Sequence, residues 1–155
     1  MTPLQQARMV RQEARRRDIA VTVHVRSGDP DSLVDLLSQP DTAVLITLSW
    51  TDETRPRIIY PDGALRRFSP AGGMQILGRE IAYPFGAHTM LLAAHDPDRR
   101  ARLKSGKIHA PWGFINSWVN GGDDLFWMPD TDFQEAWSRG IIIGKRQMVI
   151  IRKQA

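Results

Sequence analysis

The sequence predicts an α+β fold, with N-terminal helices packed on a mostly antiparallel sheet. Two capped helical signals lie near the start, at residues 2–17 and 29–40. Beyond them, apolar runs of strand length are divided by Gly, Pro and Asp turns. Helices first and strands after, with no internal repeat and no low-complexity linker, is an α+β order. At 155 residues the chain fits a single domain, 1–155, and can bury roughly two-thirds of its unfolded surface without staples.

Thr2-Pro3-Leu4-Gln5 reads as a helix start, with Thr2 as cap, Pro3 in the first turn and Gln5 closing a capping box. The helix is expected to reach about Arg17, with a thin apolar stripe of Leu4, Ala7, Val10 and Ala14 and a Glu13–Arg17 pair. Ile19 to Val25 alternates as a half-buried strand. Asp29 caps a short helix bearing Leu33, Val34, Leu36 and Leu37. Ala43 to Trp50 and Arg57 to Tyr60 read as strands, with Pro61-Asp62-Gly63 as a turn. Residues 64–85 carry too many prolines and glycines for long regular elements. Ala87 to His95 is apolar on both faces and is expected to be a central strand. Asp96 to Lys107 reads as a charged loop, Trp112 to Trp118 as a strand, and Leu125 to Met128 as another after the Gly121-Gly122-Asp123 turn. Thr131 is expected to cap a helix through a box with Gln134. Gly140 ends that helix, and Ile141 to Ile151 closes the chain as a strand broken at 144–146.

The chain has no cysteine, which excludes disulfides, thiolate metal sites and thiol nucleophiles together. The arginine-rich start has no apolar core for a signal peptide, and no apolar stretch approaches a membrane span of ~18 residues. A cytoplasmic location is expected, or export by a signal-peptide-independent secretion system. The net charge of +4 gathers in Arg8, Arg11, Arg15, Arg16 and Arg17, and in Arg99, Arg100, Arg102, Lys104 and Lys107. No aromatic residues interleave with these runs, so the pattern argues for solvated faces and against nucleic acid. His88, His95 and His109 lack a recognised ligand spacing, so no metal and no cofactor are expected.

The most distinctive segment is Trp112-Gly113-Phe114-Ile115-Asn116-Ser117-Trp118. It resembles the asparagine-serine-tryptophan strand of papain-like cysteine peptidases, in particular bacterial domains of the double-glycine leader-peptidase kind. Ala87-His88-Thr89-Met90-Leu91-Leu92 resembles the strand that begins with their catalytic histidine. Leu33 to Leu37 with Ala43 to Ile46, and Phe126-Trp127-Met128-Pro129 with Asp132-Phe133, resemble flanking elements, so the likeness spans roughly residues 30–140. The resemblance implies a papain-like fold with His88 as base, Asn116 as its orienter and Trp118 as a shield over their hydrogen bond, Trp112 lying nearby in the binding region. Period-two alternation then puts His88 on one face with Met90 and Leu92, and Asn116 on one face with Phe114 and Trp118.

The departure from the family is the nucleophile. The N-terminal helix offers Ala7, Met9 and Val10, with glutamines at 5, 6 and 12 but neither thiol nor serine. Either it stands where the nucleophile helix would be, or it matches a later helix and the nucleophile helix is missing. The expected function is a catalytically inactive papain-like domain, a pseudo-peptidase binding a peptide or protein partner in a degenerate cleft. Two alternatives stay open: a His/Asn-bearing half completed by a cysteine on another chain, or a phage or plasmid assembly protein. A homodimer stays open as well. Residue by residue, the simpler readings stand too: His88 as a hydrogen-bonded structural histidine, Asn116 as a buried amide, and the tryptophans as core.

Overall fold

The computed structural model describes residues 2–51, 53–68, 74–76, 79–81, 85–115, 125–139 and 145–155. Helix α1 (Pro3–Arg16) is followed by β1 (Val21–Ser27), α2 (Pro30–Leu37), β2 (Thr42–Thr51), β3 (Arg57–Ile59) and β4 (Leu65–Arg67). Then come the small hairpin of β5 (Met74–Ile76) and β6 (Arg79–Ile81), and the long β7 (Phe85–His95). A second hairpin, β8 (Arg100–Leu103) with β9 (Gly106–His109), precedes β10 (Trp112–Ile115), β11 (Leu125–Met128), α3 (Asp130–Ser138) and β12 (Gln147–Lys153). Eight strands form one sheet in the order β1-β12-β2-β7-β10-β11-β3-β4, every adjacent pair antiparallel. The architecture is α+β, and β7 lies inside the sheet as its apolar faces predict.

Each face of the sheet has its own helical cover. On one face Val44, Ile46, Leu48 and Trp50 of β2 line up with Leu92, Met90, His88 and Gly86 of β7. Leu33 and Leu36 of α2 and Phe133, Ala136 and Trp137 of α3 close over this layer, all of them buried. On the other face α1 lays Ala7 against Val23 and Val149, with Val10, Val25, Leu45 and Ile151 around them.

The N-terminal helix begins as the sequence predicts, with both bonds of the Thr2–Gln5 capping box formed. Its buried stripe differs from expectation. Leu4 is 71% exposed, whereas Pro3, Gln6, Ala7 and Ala14 are buried. The reason lies across the sheet. Thr47 and Thr89 are directly opposite in the β2–β7 ladder, their hydroxyl oxygens 2.8 Å apart. The Gln6 amide donates to both, at 3.2 and 2.6 Å. A buried hydroxyl pair needs a polar partner, and that selects Gln6 over Leu4 for the inward position.

Three further expectations change. The charged segment is a hairpin: Ala101 and Leu103 alternate with Arg100 and Arg102, and Gly106 turns the chain at φ +132°. Helix α3 starts at Asp130 after Pro129, with no side-chain cap, so the Thr131–Gln134 box does not form. Asp130 instead accepts from Trp112 Nε1 at 2.8 Å and from Gln134 Nε2 at 2.9 Å. Acidic side chains in that first turn also suit the helix dipole. Finally, the helices do not all precede the sheet, since β1 comes before α2 and α3 before β12. The expected turn at 121–123, the helix end at Gly140 and Gly144 of the expected 144–146 break lie outside the described residues, whereas Lys145 and Arg146 form a turn before β12.

Replacing Gln6 by Ala leaves the threonine pair without its buried donor. The expected loss is about 1–3 kcal/mol, which for a chain of this size lowers the melting midpoint by several degrees, read by thermal and urea unfolding.

Candidate functional site

His88 stands opposite Leu48 in the β2–β7 ladder, on the face that carries Met90 and Leu92. It is 7% exposed. The Phe68 ring lies 5.3 Å from the imidazole, and Phe68 meets Trp50 edge-on at 5.2 Å. Phe68 is held in place by its backbone N–H, which donates to Pro56 O at 2.7 Å. Trp50 is placed by its cross-strand partner, Gly86. A Cβ on Gly86 would fall 2.3 Å from the indole nitrogen, so the strand must be bare there for the ring to lie across it. His88 thus sits in an aromatic corner of the core, its ring largely withheld from solvent.

Asn116 and Trp118 lie outside the described residues. The strand that runs into them is described. β10 is the antiparallel neighbour of β7, with Phe114 opposite Leu92 and Ile115 opposite Leu91. The ladder shifts between Gly113 and Phe114, leaving Ala93 as the extra residue of a β-bulge. Beyond the bulge His95 faces Trp112, ring centroids 4.5 Å apart.

Trp112 is 2% exposed and is a core residue. Its N–H goes to Asp130, and its ring packs 4.6 Å from Phe133. Trp137 Nε1 donates to Gln147 O at 3.0 Å. Two indoles therefore fix α3 to the sheet, and Trp112 serves a site by holding α3 in position. Trp127 lies over Gly113 on the opposite face, with the Arg99 guanidinium 4.1 Å above its ring.

Helix α1 covers the sheet face away from His88 and gives it no wall.

The sequence did not point to the ion pair between α3 and β3. Arg57 Nε and Nη2 donate to Asp132 at 2.9 and 2.8 Å, and the Arg57 backbone N–H donates to the same carboxylate at 2.7 Å. It lines a polar hollow of about 170 Å³ with Arg55, Arg67 and Glu135. Burial alone would raise the Asp132 carboxyl. The bonds from Arg57 outweigh it and hold the carboxyl below its ordinary 3.8, while the same carboxylate raises Arg57.

Among the described residues no group of three His, Asp or Glu side chains is placed to hold a metal ion, and no helix is long and apolar enough to cross a membrane. His109 Nε2 lies 2.8 Å from Pro97 O, in the turn that leads into β8. No protein-family model matches the chain, and no curated protein or solved structure matches it either.

Two measurements check this geometry. Gly86→Ala forces the Trp50 indole off the strand, at a cost of about 1–3 kcal/mol, with a shift in tryptophan emission. Asp132→Asn costs about 1–2 kcal/mol at neutral pH, a figure held down by screening because Arg57 is 38% exposed. A folded carboxyl pKa below the unfolded one stabilises fully above the ordinary carboxylate value. That contribution is lost as pH falls through the lowered pKa. The gap between wild type and Asp132→Asn in urea unfolding should therefore close on acidification below about pH 4.

Proposed function

We propose that this chain is a binding domain for an extended peptide or protein segment, built on a papain-like scaffold without thiol chemistry. The observation that carries the reading is the adjacency of β7 and β10. The strand bearing His88 and the strand leading into Asn116-Ser117-Trp118 are antiparallel neighbours inside the sheet, in a chain with no cysteine. That neighbour relation is what the resemblance to the peptidases requires of a histidine and its orienting amide.

The reading is consistent with where the described serines lie. Ser49 is buried on β2 opposite Ala87, one residue out of phase with His88, and so faces the other side of the sheet. Ser27 donates to Lys145 O and Ser32 closes the cap of α2. Ser38 and Ser138 donate to backbone carbonyls of their own helices. Ser105 is at the β8–β9 turn. None of these described serines is placed to be activated by His88, and the imidazole is packed under Phe68; Ser69 and Ser117 lie outside the described residues. A papain-like scaffold without its nucleophile can still recognise an extended segment.

The test is incubation of the purified chain with a library of extended peptides, followed by mass spectrometry and fluorescence polarisation. Binding without cleavage is expected. Turnover that disappears in His88→Ala would overturn the inactive assignment, and failure of every peptide to bind would overturn the binding role.

A further inference from the structure

The open edge of the sheet at β1 has the makings of a second binding surface, on the far side of the molecule from His88. Among the described residues β1 pairs only with β12. The bonds flanking that pairing run from Gln154 N to Ala20 O and from Gly28 N to Arg146 O. Antiparallel alternation then gives the even residues of β1 to β12 and turns the N–H and C=O groups of Val21, Val23, Val25 and Ser27 outward. One outward carbonyl, Val23 O, already accepts from Arg11 Nη2 of α1 at 2.6 Å. Between this edge and the second half of α1 runs a groove of about 420 Å³, lined by residues 20–24 with Ala14, Ile19, Arg11 and Arg15. Ile19 is 44% exposed there.

The charge around the groove is mostly positive, with Asp18 beside Ile19 as an exposed acid at its end. Arg8, Arg11, Arg15, Arg16 and Arg17 stand on or beside α1, and Arg26 is exposed on β1. The helix's one acid, Glu13, is taken by Arg16 and Arg17 at 2.9 and 2.6 Å. Among the described residues neither Arg8 nor Arg15 makes an ion pair. A row of outward peptide groups is satisfied by another strand, and arginines beside it select an acidic one. A second copy of the chain pairing through β1 would bring these cations together, which opposes self-association at this edge.

We infer that β1 and α1 form a strand-addition site for an acidic, extended segment of a partner protein, paired along the outer edge of β1 with its carboxylates against Arg11 and Arg15. Arg11 then acts as a removable cap, occupying Val23 O until the incoming strand takes its place. This site is separate from the β7–β10 region of the function proposed above.

The probes are a short synthetic peptide alternating Val and Thr with flanking Glu residues, the matched peptide with Lys in place of Glu, and oligothymidylate. The Glu peptide is expected to bind, more weakly as salt rises, and to protect the amides of Val21, Val23 and Val25 from hydrogen exchange; the Lys peptide and oligothymidylate are not. Val25→Pro removes an outward N–H without touching the β12 ladder, a substitution that edges tolerate, and should abolish binding. Arg15→Glu should weaken it at least about tenfold. Retained affinity in a folded Val25→Pro, preference for oligothymidylate, or a dimer formed through β1 each overturns the proposal. Loss of binding in His88→Ala, with Val25→Pro unaffected, removes the edge site and leaves the cleft reading standing. Should Val25→Pro fail to fold, amide protection and Arg15→Glu decide the matter.

Discussion

Strands β2 and β7 pair over eight residues, Val44–Thr51 with Phe85–Leu92, between helices on both faces of the sheet. On one face the pair contributes Val44, Ile46, Leu48, Met90 and Leu92 to a layer closed by α2 and α3; on the other it contributes Leu45, Thr47 and Thr89 beneath α1. A slip of one residue would exchange the two sets. The threonine hydroxyls would then enter the apolar layer without a donor, and Gln6 would face aliphatic groups. The cost falls on both layers at once, so the polar trio of Gln6, Thr47 and Thr89 works as a register mark for the whole sheet.

From that register the other placements follow. With Leu48 opposite His88 and Trp50 opposite Gly86, the imidazole and the indole are neighbours on one face, and Phe68 fills the angle between them. Because Gln6 must reach Thr47 and Thr89, α1 is confined to the other face. Its second half then overlies β1, and Arg11 comes within reach of the Val23 carbonyl. The aromatic corner and the basic groove are thus two consequences of one ladder.

Local signals were legible where their partners were local. The Thr2–Gln5 box, the Asp29 cap, the Glu13–Arg17 pair and the period-two placement of His88 with Met90 and Leu92 all need only a few residues of context. Leu4 was misassigned because the choice of Gln6 depends on hydroxyls more than forty residues away. The β8–β9 hairpin was hidden by its own charge, since Arg100, Arg102, Lys104 and Lys107 mask the alternation of Ala101, Leu103 and Ile108. Thr131 was a reasonable cap by type, but Trp112 recruits Asp130 and the helix starts there. At the candidate site, His88 could be picked out by motif, whereas Phe68 lies in a stretch with no periodicity and reaches the histidine only through the fold. The Arg57–Asp132 pair was unreadable for the same reason.

The geometry also bears on whether a strand held at the β1 edge could meet the histidine of β7. Acyl transfer needs a nucleophile, a base and the scissile bond within a few ångströms of one another. A strand added to the outer edge of β1 would be separated from β7 by β1, β12 and β2, roughly 19 Å at the usual strand spacing, and α1 overlies the face opposite the imidazole. No rotamer change at His88 spans that distance. A strand paired at the edge is therefore out of reach of the histidine, whatever its sequence. Arg11, Arg15 and the outward amides of β1 make no described contact with the aromatic corner, and α1 meets β7 through the Gln6 bond to Thr89.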